Sequence, residues 1–492
     1  MKTEVLIVGA GPVGMTAASE LARYGVSVRI VDKSKQRTDK SKALVLWSRT
    51  LELLDRGPGG SAPFIEAGFK AHAVNLVAGD GEVIGYVRMD SVKSPYPYGL
   101  MLPQSETERL LEERLAVLGL TVERQTEVLG FTATDSGAQV RLRLPDGQEE
   151  TVAAEWLLGC DGAHSTVRHT LGVPFSGETM DSDWILADVH MSGYPFPDSE
   201  ASVYWHKDGA FVIFPIAPGR YRVLADLPPT SGPVTPDPSL EEVQKIIDRR
   251  GPGGLKAFDP IWLAGFRING RKVAEYRNGR AFLLGDAAHV HSPAGGQGMN
   301  TGMQDAFNLS WKLAMVIQGR CDDHLLYSYS PERSAVGDAV LKMAGRLTAI
   351  GTLKNPVLQT LRDLASHFMF GLSPVQHAFA DSMTQVAVGY HDSPLNGGAS
   401  LHEISGPKPG ERVDPSGDET AIGSGPKPLF SLFAEAGKSS ADLIARFPDL
   451  LEDRLRAPFS PEGIWLVRPD GYVCCSSKSM EEIAQYLDKL RR

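Results

Sequence analysis

The most constraining feature of this sequence is a glycine-rich turn placed directly after an apolar run near the N-terminus. Residues 4–8 read as a strand, residues 9–14 spell GAGPVG, and residues 15–24 read as a helix. In such a unit the first glycine permits the tight turn, the second lets the backbone approach a pyrophosphate, and the third lets the helix pack on the strand. The pattern predicts a dinucleotide site in which these roles fall to Gly9, Gly11 and Gly14.

A carboxylate follows at the spacing that such a site needs. The second predicted strand, residues 26–31, ends at Asp32, close to the interval of about 20 residues at which a carboxylate meets a ribose hydroxyl. FAD and NAD present the same adenosine and pyrophosphate groups. This part of the sequence therefore predicts a dinucleotide site without deciding between the two.

Two distant segments narrow the choice of dinucleotide. After one predicted strand the chain reads GCDGAHSTVR (159–168), and after another it reads GDAAH (285–289). The carboxylate of Asp286, which follows a strand and a glycine, suits a ribityl hydroxyl of a flavin lying across the sheet edge. The small residues of 291–298 let backbone N–H groups and the start of a predicted helix, 299–317, approach a ligand.

Together these segments resemble the class A flavoprotein monooxygenases, the single-component FAD-dependent aromatic hydroxylases related to phenol hydroxylase and p-hydroxybenzoate hydroxylase. The motifs are GAGPVGM, LGCDGAHSTVR and LLGDAAHVHSPAGGQGMNTGMQDAFNLSWKL. The similarity is greatest to the pentachlorophenol and polyketide hydroxylases and spans nearly the whole chain. It implies an α/β fold with a Rossmann-like FAD-binding domain of the p-hydroxybenzoate hydroxylase type, an inserted antiparallel-sheet substrate domain and a C-terminal thioredoxin-like domain.

The resemblance implies a set of residues that hold non-covalent FAD. At the adenosine end these are Gly9, Gly11, Val13, Gly14 and Asp32. At the flavin end they are Asp286 and the backbone of the segment that includes Gly296, Gly298, Met299 and Asn300, with Gln104 touching the flavin side chain. The set also includes Lys33, Lys42, Val128, Asp161 and Pro293. By the same resemblance, Asp161 belongs to the turn that serves both FAD and the nicotinamide donor.

Two positions depart from the family pattern. Lys42 stands where the family commonly has arginine, so a point charge replaces a bidentate contact. Asp32 stands where glutamate is more frequent, and its shorter side chain reaches the ribose after a small backbone shift.

The activity implied by the resemblance is an NAD(P)H- and O2-consuming monooxygenation of a phenolic or polycyclic polyketide-like aromatic compound through a flavin C4a-hydroperoxide. The backbone of Pro293 is expected to orient the substrate, and the helix that begins near Gly298 to place positive potential at the reduced flavin. His289 and His291 are candidate bases, but a structural role is expected for histidines beside a glycine turn. Epoxidation, Baeyer–Villiger oxidation and hydroxylative dehalogenation use the same chemistry and stay open, as does a non-catalytic flavin-binding role.

Two other flavoprotein classes lack their sequence signatures here. The WxWxIP motif of flavin halogenases is missing, and so is the CxxxxC pair of flavin disulfide reductases. After Gly9 to Gly14 no second GxGxxG follows a strand and opens a helix. We therefore expect the nicotinamide donor to visit a surface cleft, with a mobile flavin that swings toward it.

The order of the motifs predicts how the chain is divided. The FAD-binding domain is predicted to be discontinuous, over 1–178 and 266–390, because its first and last motifs must meet in space. Residues 179–265, which alternate strands and turns, form the substrate-binding sheet, and residues 395–492 form the thioredoxin-like domain. The aromatic candidates for lining the substrate pocket are Tyr204, Phe211, Phe214 and Tyr221. Filling of the sheet's own core is the competing interpretation for each of them.

Composition excludes several functional classes. The 492 residues carry a formal charge of −10, so there is no global basic field for nucleic acid or an anionic membrane. No run of about 18 apolar residues occurs, and the four cysteines suggest neither a disulfide framework nor a metal site. Cys474 and Cys475 are adjacent, which favours packing or dimer contact. We expect a cytoplasmic enzyme that binds a small aromatic substrate, with a homodimer as its possible assembly.

Overall fold

A computed structural model describes residues 2–79, 81–134, 136–230, 232, 235–397, 404–417, 420–461 and 463–491. The strands are β1 (Lys2–Val8), β2 (Val28–Val31), β3 (Val45–Leu46), β4 (Phe69–Ala71), β5 (Ala73–Ala78), β6 (Val83–Arg88), β7 (Gly99–Met101), β8 (Glu127–Thr134), β9 (Gly137–Arg143), β10 (Glu149–Gly159), β11 (Ser176–Ser192), β12 (Glu200–His206), β13 (Gly209–Ala217), β14 (Arg220–Leu227), β15 (Lys256–Lys272), β16 (Arg277–Asn278), β17 (Ala281–Leu283), β18 (His289–Val290), β19 (Phe430–Phe433), β20 (Leu451–Arg456), β21 (Ile464–Val467) and β22 (Val473–Ser477). The helices are α1 (Pro12–Arg23), α2 (Ser48–Leu54), α3 (Ala62–Ala67), α4 (Gln104–Val117), α5 (Thr166–Thr170), α6 (Leu240–Arg250), α7 (Gly298–Ile317), α8 (Tyr329–Gly351), α9 (Pro356–Phe370), α10 (Ser373–Met383), α11 (Lys438–Arg446) and α12 (Met480–Leu490).

The first sheet brings the three predicted motifs together. Its order is β16-β17-β10-β1-β2, and β9 also pairs with β10 and β8. Strand β1 runs parallel to β2 and β10, and β10 runs parallel to β17. Because parallel strands end at one sheet edge, the turns that follow Val8, Gly159 and Leu283 meet there.

A second sheet of eight strands forms one wall of the site. Its order is β18-β15-β11-β14-β13-β12-β5-β6, antiparallel except for the β5–β12 pair. The predicted boundaries assigned residues 73–88 to the FAD-binding domain, whereas β5 and β6 belong to this sheet. Local patterning could not reveal that assignment, because β5 pairs with a strand more than 100 residues later in the chain.

Three helices, α8, α9 and α10, lie opposite that sheet, in the region that the sequence predicts to be helical. Pro356 occupies the first position of α9, and Asn355 caps it by accepting N–H bonds from Val357 and Leu358. Helix α9 packs against β6. The sheet and the helices form walls of the cavity described below.

The C-terminal part contains a four-stranded sheet, β20-β19-β21-β22, with α11 and α12. It is joined to the rest of the chain by a buried ionic network. Arg468 pairs with Glu332 of α8 at 2.7 Å, and Lys312 of α7 lies 2.7 Å from the same carboxylate. Trp311 also packs edge-on against Phe430. The C-terminal sheet is therefore continuous with the main hydrophobic core.

The segment 396–427, whose many Gly and Pro residues are typical of a linker or extended arm, lies partly outside the described residues. Its described part is packed rather than free, since Val413 and Ile422 are buried with Trp465. None of the helices in the described ranges is both long and apolar enough to cross a lipid bilayer.

Candidate active site

A cavity of about 950 Å3 lies between the two sheets and helices α8 to α10. One end is lined by the motif residues of the first sheet, including Gly11, Val13 and Asp286. The rest is lined mainly by apolar side chains of the eight-stranded sheet and the three helices. The cavity therefore joins a backbone-rich end to an apolar end.

The glycines of the first turn have distinct environments. A Cβ on Gly9 or Gly14 would clash with neighbouring backbone, whereas a Cβ on Gly11 would meet nothing within 4 Å. Gly11 thus leaves open space at the start of α1, where a pyrophosphate can approach the backbone. The carboxylate of Asp32 accepts the N–H groups of Ala10 and Ser34, each at 2.7 Å. These contacts fix the carboxylate beside the turn, as a ribose-binding group requires.

The second turn supplies a carboxylate that faces the cavity. Asp286 is exposed to this space although it is surrounded by protein, and burial raises its pKa while the nearby charges of His289 and Lys42 oppose the rise. It makes no hydrogen bond within the described part of the chain. A flavin side chain with hydroxyl groups would satisfy it.

The start of α7 presents hydrogen-bond donors to the same space. Gly298 and Met299 line the cavity, and the first N–H groups of a helix have no partners within it. The side chain of Asn300 turns away, donating to the Val45 carbonyl at 2.9 Å and accepting the Trp47 N–H at 2.9 Å. Asn300 therefore fixes β3 against α7, and only its backbone is available to a cofactor.

A loop at 41–43 closes the other side of the cofactor end. The amide of Gln104 accepts the Ala43 N–H at 3.1 Å and donates to Glu108 at 2.9 Å. Arg222, from β14, donates to the carbonyls of Ser41 and Lys42. Lys42 and Gln104 both line the cavity, so the loop is held from two sides with its lysine beside Asp286.

Seven of the predicted cofactor residues do not line the cavity: Gly9, Gly14, Asp32, Lys33, Val128, Asp161 and Asn300. Asp161 accepts the Val167 N–H at 3.1 Å at the start of α5, and burial raises its pKa. Val128 is buried in the core of the first sheet. Lys33 is exposed next to Asp32. None of these three side chains lines the cavity, and a part for them in holding FAD stays a prediction.

The substrate candidates divide between the two faces of the second sheet. Phe214 lines the cavity. Tyr204, Phe211 and Tyr221 do not, and that part of the prediction is wrong: they are buried on the opposite face, in a core shared with Val243 and Ile247 of α6. Successive side chains of a strand point to opposite faces, so the residues next to them in sequence face the cavity instead. These are Val203, Trp205, Ala210, Val212, Arg222 and Leu224.

The two candidate histidines have different environments. His289 Nε2 lies 2.8 Å from buried Asp305, which fits the structural role expected for it. His291 lines the cavity, and its Nδ1 donates to the Ser292 carbonyl at 2.8 Å. Burial, with the neighbouring charge of His289, lowers the pKa of His291 to about 4. His291 is therefore a neutral side chain at physiological pH.

Comparison with known proteins shows the family to which the chain belongs. A family model described as an FAD binding domain matches residues 2–344. The 6-methylpretetramide 4-monooxygenase of Streptomyces rimosus is 33% identical over 96% of this chain and 91% of its own length. The chain belongs to the family of FAD-dependent aromatic monooxygenases.

Other members of the family agree with this assignment. The pentachlorophenol 4-monooxygenase of Sphingobium chlorophenolicum is 34% identical over 69% of this chain and 63% of its own. The structure of OxyS, an anhydrotetracycline hydroxylase from Streptomyces rimosus, matches with a TM-score of 0.81 at 27% identity, covering 100% of this chain and 99% of that one. The predicted family, fold class, enzyme class and FAD cofactor are confirmed.

The cavity is also lined by residues that the sequence did not single out. Helices α8 to α10 contribute Leu347, Thr348, Arg362, Ser366, Met369, Phe370 and Phe379. Helical periodicity does not indicate whether one face of a helix meets a cavity or a core. The contact of Arg222 with the loop at 41–43 and the side-chain contacts of Asn300 with β3 are likewise visible only in three dimensions.

Proposed function

We propose that this monooxygenase hydroxylates a flat, polycyclic or phenolic aromatic compound with electrons from NAD(P)H. The observation that carries the proposal is the continuous cavity, in which the cofactor end opens directly into an apolar space walled by the second sheet. An apolar wall suits a fused aromatic ring system, because burying its faces removes apolar surface from water. The names of the relatives, which act on 6-methylpretetramide and pentachlorophenol, support this class.

The chain contributes orientation and electrostatics at the junction of the two ends. The N-terminus of α7 carries partial positive charge, which favours the negative charge of a reduced flavin. Pro293 lines the cavity beside this helix, where its carbonyl accepts the hydroxyl hydrogen of a phenolic substrate. Gly298 has no side chain to occupy the space between them. Their roles are backbone roles, as the resemblance implies.

Bound FAD supplies the redox chemistry, by the hydroperoxide route expected from the sequence. The apolar side chains that line most of the substrate part of the cavity would exclude water from that chemistry. At Gly295 (φ +84°) and Gly296 (φ +62°) the loop at the cofactor end adopts a left-handed backbone conformation. This conformation suits glycine and leaves the space beside the loop free of side chains, so the loop would not obstruct a flavin that changed position to be reduced by NAD(P)H.

The decisive experiment combines product analysis with the reduction rate. Phenols and polycyclic quinones are screened for their ability to stimulate NAD(P)H oxidation. The mass of the product formed under 18O2 is then determined by mass spectrometry. We expect one labelled oxygen atom in the product and, in anaerobic stopped flow at 450 nm, flavin reduction at least about tenfold faster with substrate, or roughly 1.4 kcal/mol of barrier. Label from water, or a product without oxygen gain, would contradict hydroxylation. Equal reduction rates with and without substrate would contradict only the expected acceleration of flavin reduction by the substrate, and not hydroxylation.

A further inference from the structure

The cavity ends, away from the cofactor, in a small group of polar side chains. Trp205 at the end of β12 and Arg362 and Ser366 of α9 all line the cavity there. The guanidinium of Arg362 lies over the Trp205 ring, 4.9 Å from its centroid, and donates to the Trp205 carbonyl at 3.2 Å. Arg362 also pairs with Asp363 at 2.8 Å and donates to the Ile350 carbonyl at 3.2 Å. Its donors are thus engaged by the protein, and it holds the Trp205 indole in place at this end of the cavity.

Helical spacing places Ser366 opposite the indole. Arg362, one turn before Ser366, contacts Trp205, and Phe370, one turn after it, packs against the cluster that contains Trp205. Residues four apart share one face of a helix. Ser366 therefore lies one turn from a side chain that contacts Trp205 and one turn from a side chain that packs on the Trp205 cluster, on the face of α9 that lines the cavity.

Two hydrogen-bond donors at this end have no partner. Ser366 is 9% exposed and Trp205 is 8% exposed, and neither the Ser366 hydroxyl nor the Trp205 indole N–H makes a hydrogen bond to any described residue. Both residues line the cavity and neither donor atom is fully buried, so both donors are open to the cavity. A ligand or an ordered water in the cavity can therefore supply their missing partners.

The distance to the cofactor end sets the size of the ligand. Along β13, Ala210 lies at the Trp205 end, and Phe214 packs in the cluster of Val45 and Trp47 beside the flavin loop. Four residues of strand span about 13 Å. Gly351 closes the far end, where a Cβ would lie 3.4 Å from the Ala210 Cβ. A ring system that reaches both ends contains three or four fused rings.

We propose that Trp205 and Ser366 form a distal subsite that binds an acceptor oxygen, such as a quinone carbonyl, on the substrate ring farthest from the flavin. The indole N–H is only a donor, and the serine hydroxyl has a hydrogen to donate. Arg362, whose charge is paired with Asp363 at 2.8 Å, fixes the position of the indole. By fixing the far ring, the subsite determines which carbon of the near ring meets the oxidant. This inference rests on the proposed function, since it assumes an aromatic substrate in this cavity.

The test uses two probes of the same shape, 1,4-anthraquinone and anthracene, which differ in the carbonyls of a terminal ring. Their dissociation constants are measured by equilibrium dialysis against FAD-loaded wild type, Ser366→Ala, Trp205→Phe and, as a matched control on the exposed side of α9, Thr360→Val. The preference for the quinone over anthracene is expected to fall by about three- to tenfold in each of the first two variants, as for the loss of one hydrogen bond. It is expected to stay unchanged in the control.

The outcomes separate the two proposals. A preference that is unchanged in both Ser366→Ala and Trp205→Phe, with FAD content and anthracene binding retained, overturns the subsite and leaves the proposed function intact. Failure of wild type to bind either probe overturns the proposed substrate class and the subsite with it. Equal loss for both probes indicates a structural role and also overturns the subsite. If Trp205→Phe loses FAD, the test rests on Ser366→Ala, because this smaller change preserves the packing of the cavity wall.

Discussion

The guanidinium of Arg222 donates a hydrogen bond to the carbonyl oxygen of Lys42 across 3.0 Å. The same side chain pairs with Asp188 at 2.7 Å, and both charged groups are buried. A residue of the substrate-side sheet thus holds the loop that carries a predicted cofactor residue. Arg222 therefore connects the substrate end of the cavity to the loop at its cofactor end.

We expect Arg222→Gln to weaken FAD binding by at least tenfold, because the loop at 41–42 loses its donors. The variant also leaves Asp188 without its main partner, and loss of one member of a buried ion pair costs about 3–5 kcal/mol. FAD dissociation is measured by fluorescence recovery. Arg267→Gln breaks another ion pair of the same sheet, with Asp183, and serves as control. Equal FAD loss in both variants would show general destabilisation instead of a loop effect.

Removal of each of two carboxylates near the cofactor end should have a different effect on FAD binding. Asp286→Ala is expected to raise the FAD dissociation constant more than Asp161→Ala, because Asp286 faces the cavity without a partner. Burial raises the pKa of Asp286, so its loss leaves the apo protein at least as stable. Asp161→Ala removes an acceptor at the start of α5 and costs about 1 kcal/mol of stability. The reverse order of FAD affinities would refute this division of roles.

Neighbouring residues of β13 allow the two faces of the sheet to be tested separately. Val212 faces the cavity and Ile213 is fully buried on the other face. Ile213→Ala should cost about 2–5 kcal/mol in urea unfolding with little change in binding of 1,4-anthraquinone. Val212→Phe should weaken that binding at least tenfold with nearly wild-type stability. If both variants changed the same property, the assignment of faces would be wrong.

The sequence predicted the cofactor end far better than the substrate end. Glycines and carboxylates that follow strands must gather at one edge of a parallel sheet, so Gly11 and Asp286 could be located without a structure. The residues of the substrate wall could not be located in this way. Alternation shows that Phe211 and Val212 lie on different faces, but both faces of this sheet are buried, and hydrophobicity then does not tell which one meets the cavity. The contribution of β5 depends on a distant pairing that has no local signal.

Because His291 is neutral in the native protein, we expect the free energy of unfolding to decrease at acid pH. Its pKa is lowered to about 4, below the value of about 6.5 for an unfolded histidine. The unfolded chain therefore binds a proton that the native protein does not, and stability is lost as the pH falls from 6.5 toward 4. Between pH 7 and pH 5 we expect apo wild type to lose about 2 kcal/mol more than His291→Phe. Parallel pH profiles of urea unfolding would exclude this origin.

The ionic network at the C-terminal sheet should be essential for stability. Arg468→Met leaves Glu332 with Lys312 and leaves Asp470 without its cation, and we expect a loss of about 3–5 kcal/mol. Arg446→Met, which breaks an exposed pair with Asp488, should cost less than about 1 kcal/mol. Chemical denaturation followed by tryptophan fluorescence compares the two variants, and similar losses would argue against a special role for the buried network.

The interleaved pairing of the two sheets has a consequence for synthesis of the chain on the ribosome. Strand β10 needs β17 as its neighbour, and β5 needs β12, so neither sheet is complete until about residue 283 has left the exit tunnel. At 5–20 residues per second, this leaves apolar strand edges open for roughly 15 to 60 s. The nascent enzyme is therefore most prone to aggregation before it can bind its flavin, and chaperone capture or faster translation over about the first 283 residues should raise the yield of holoenzyme.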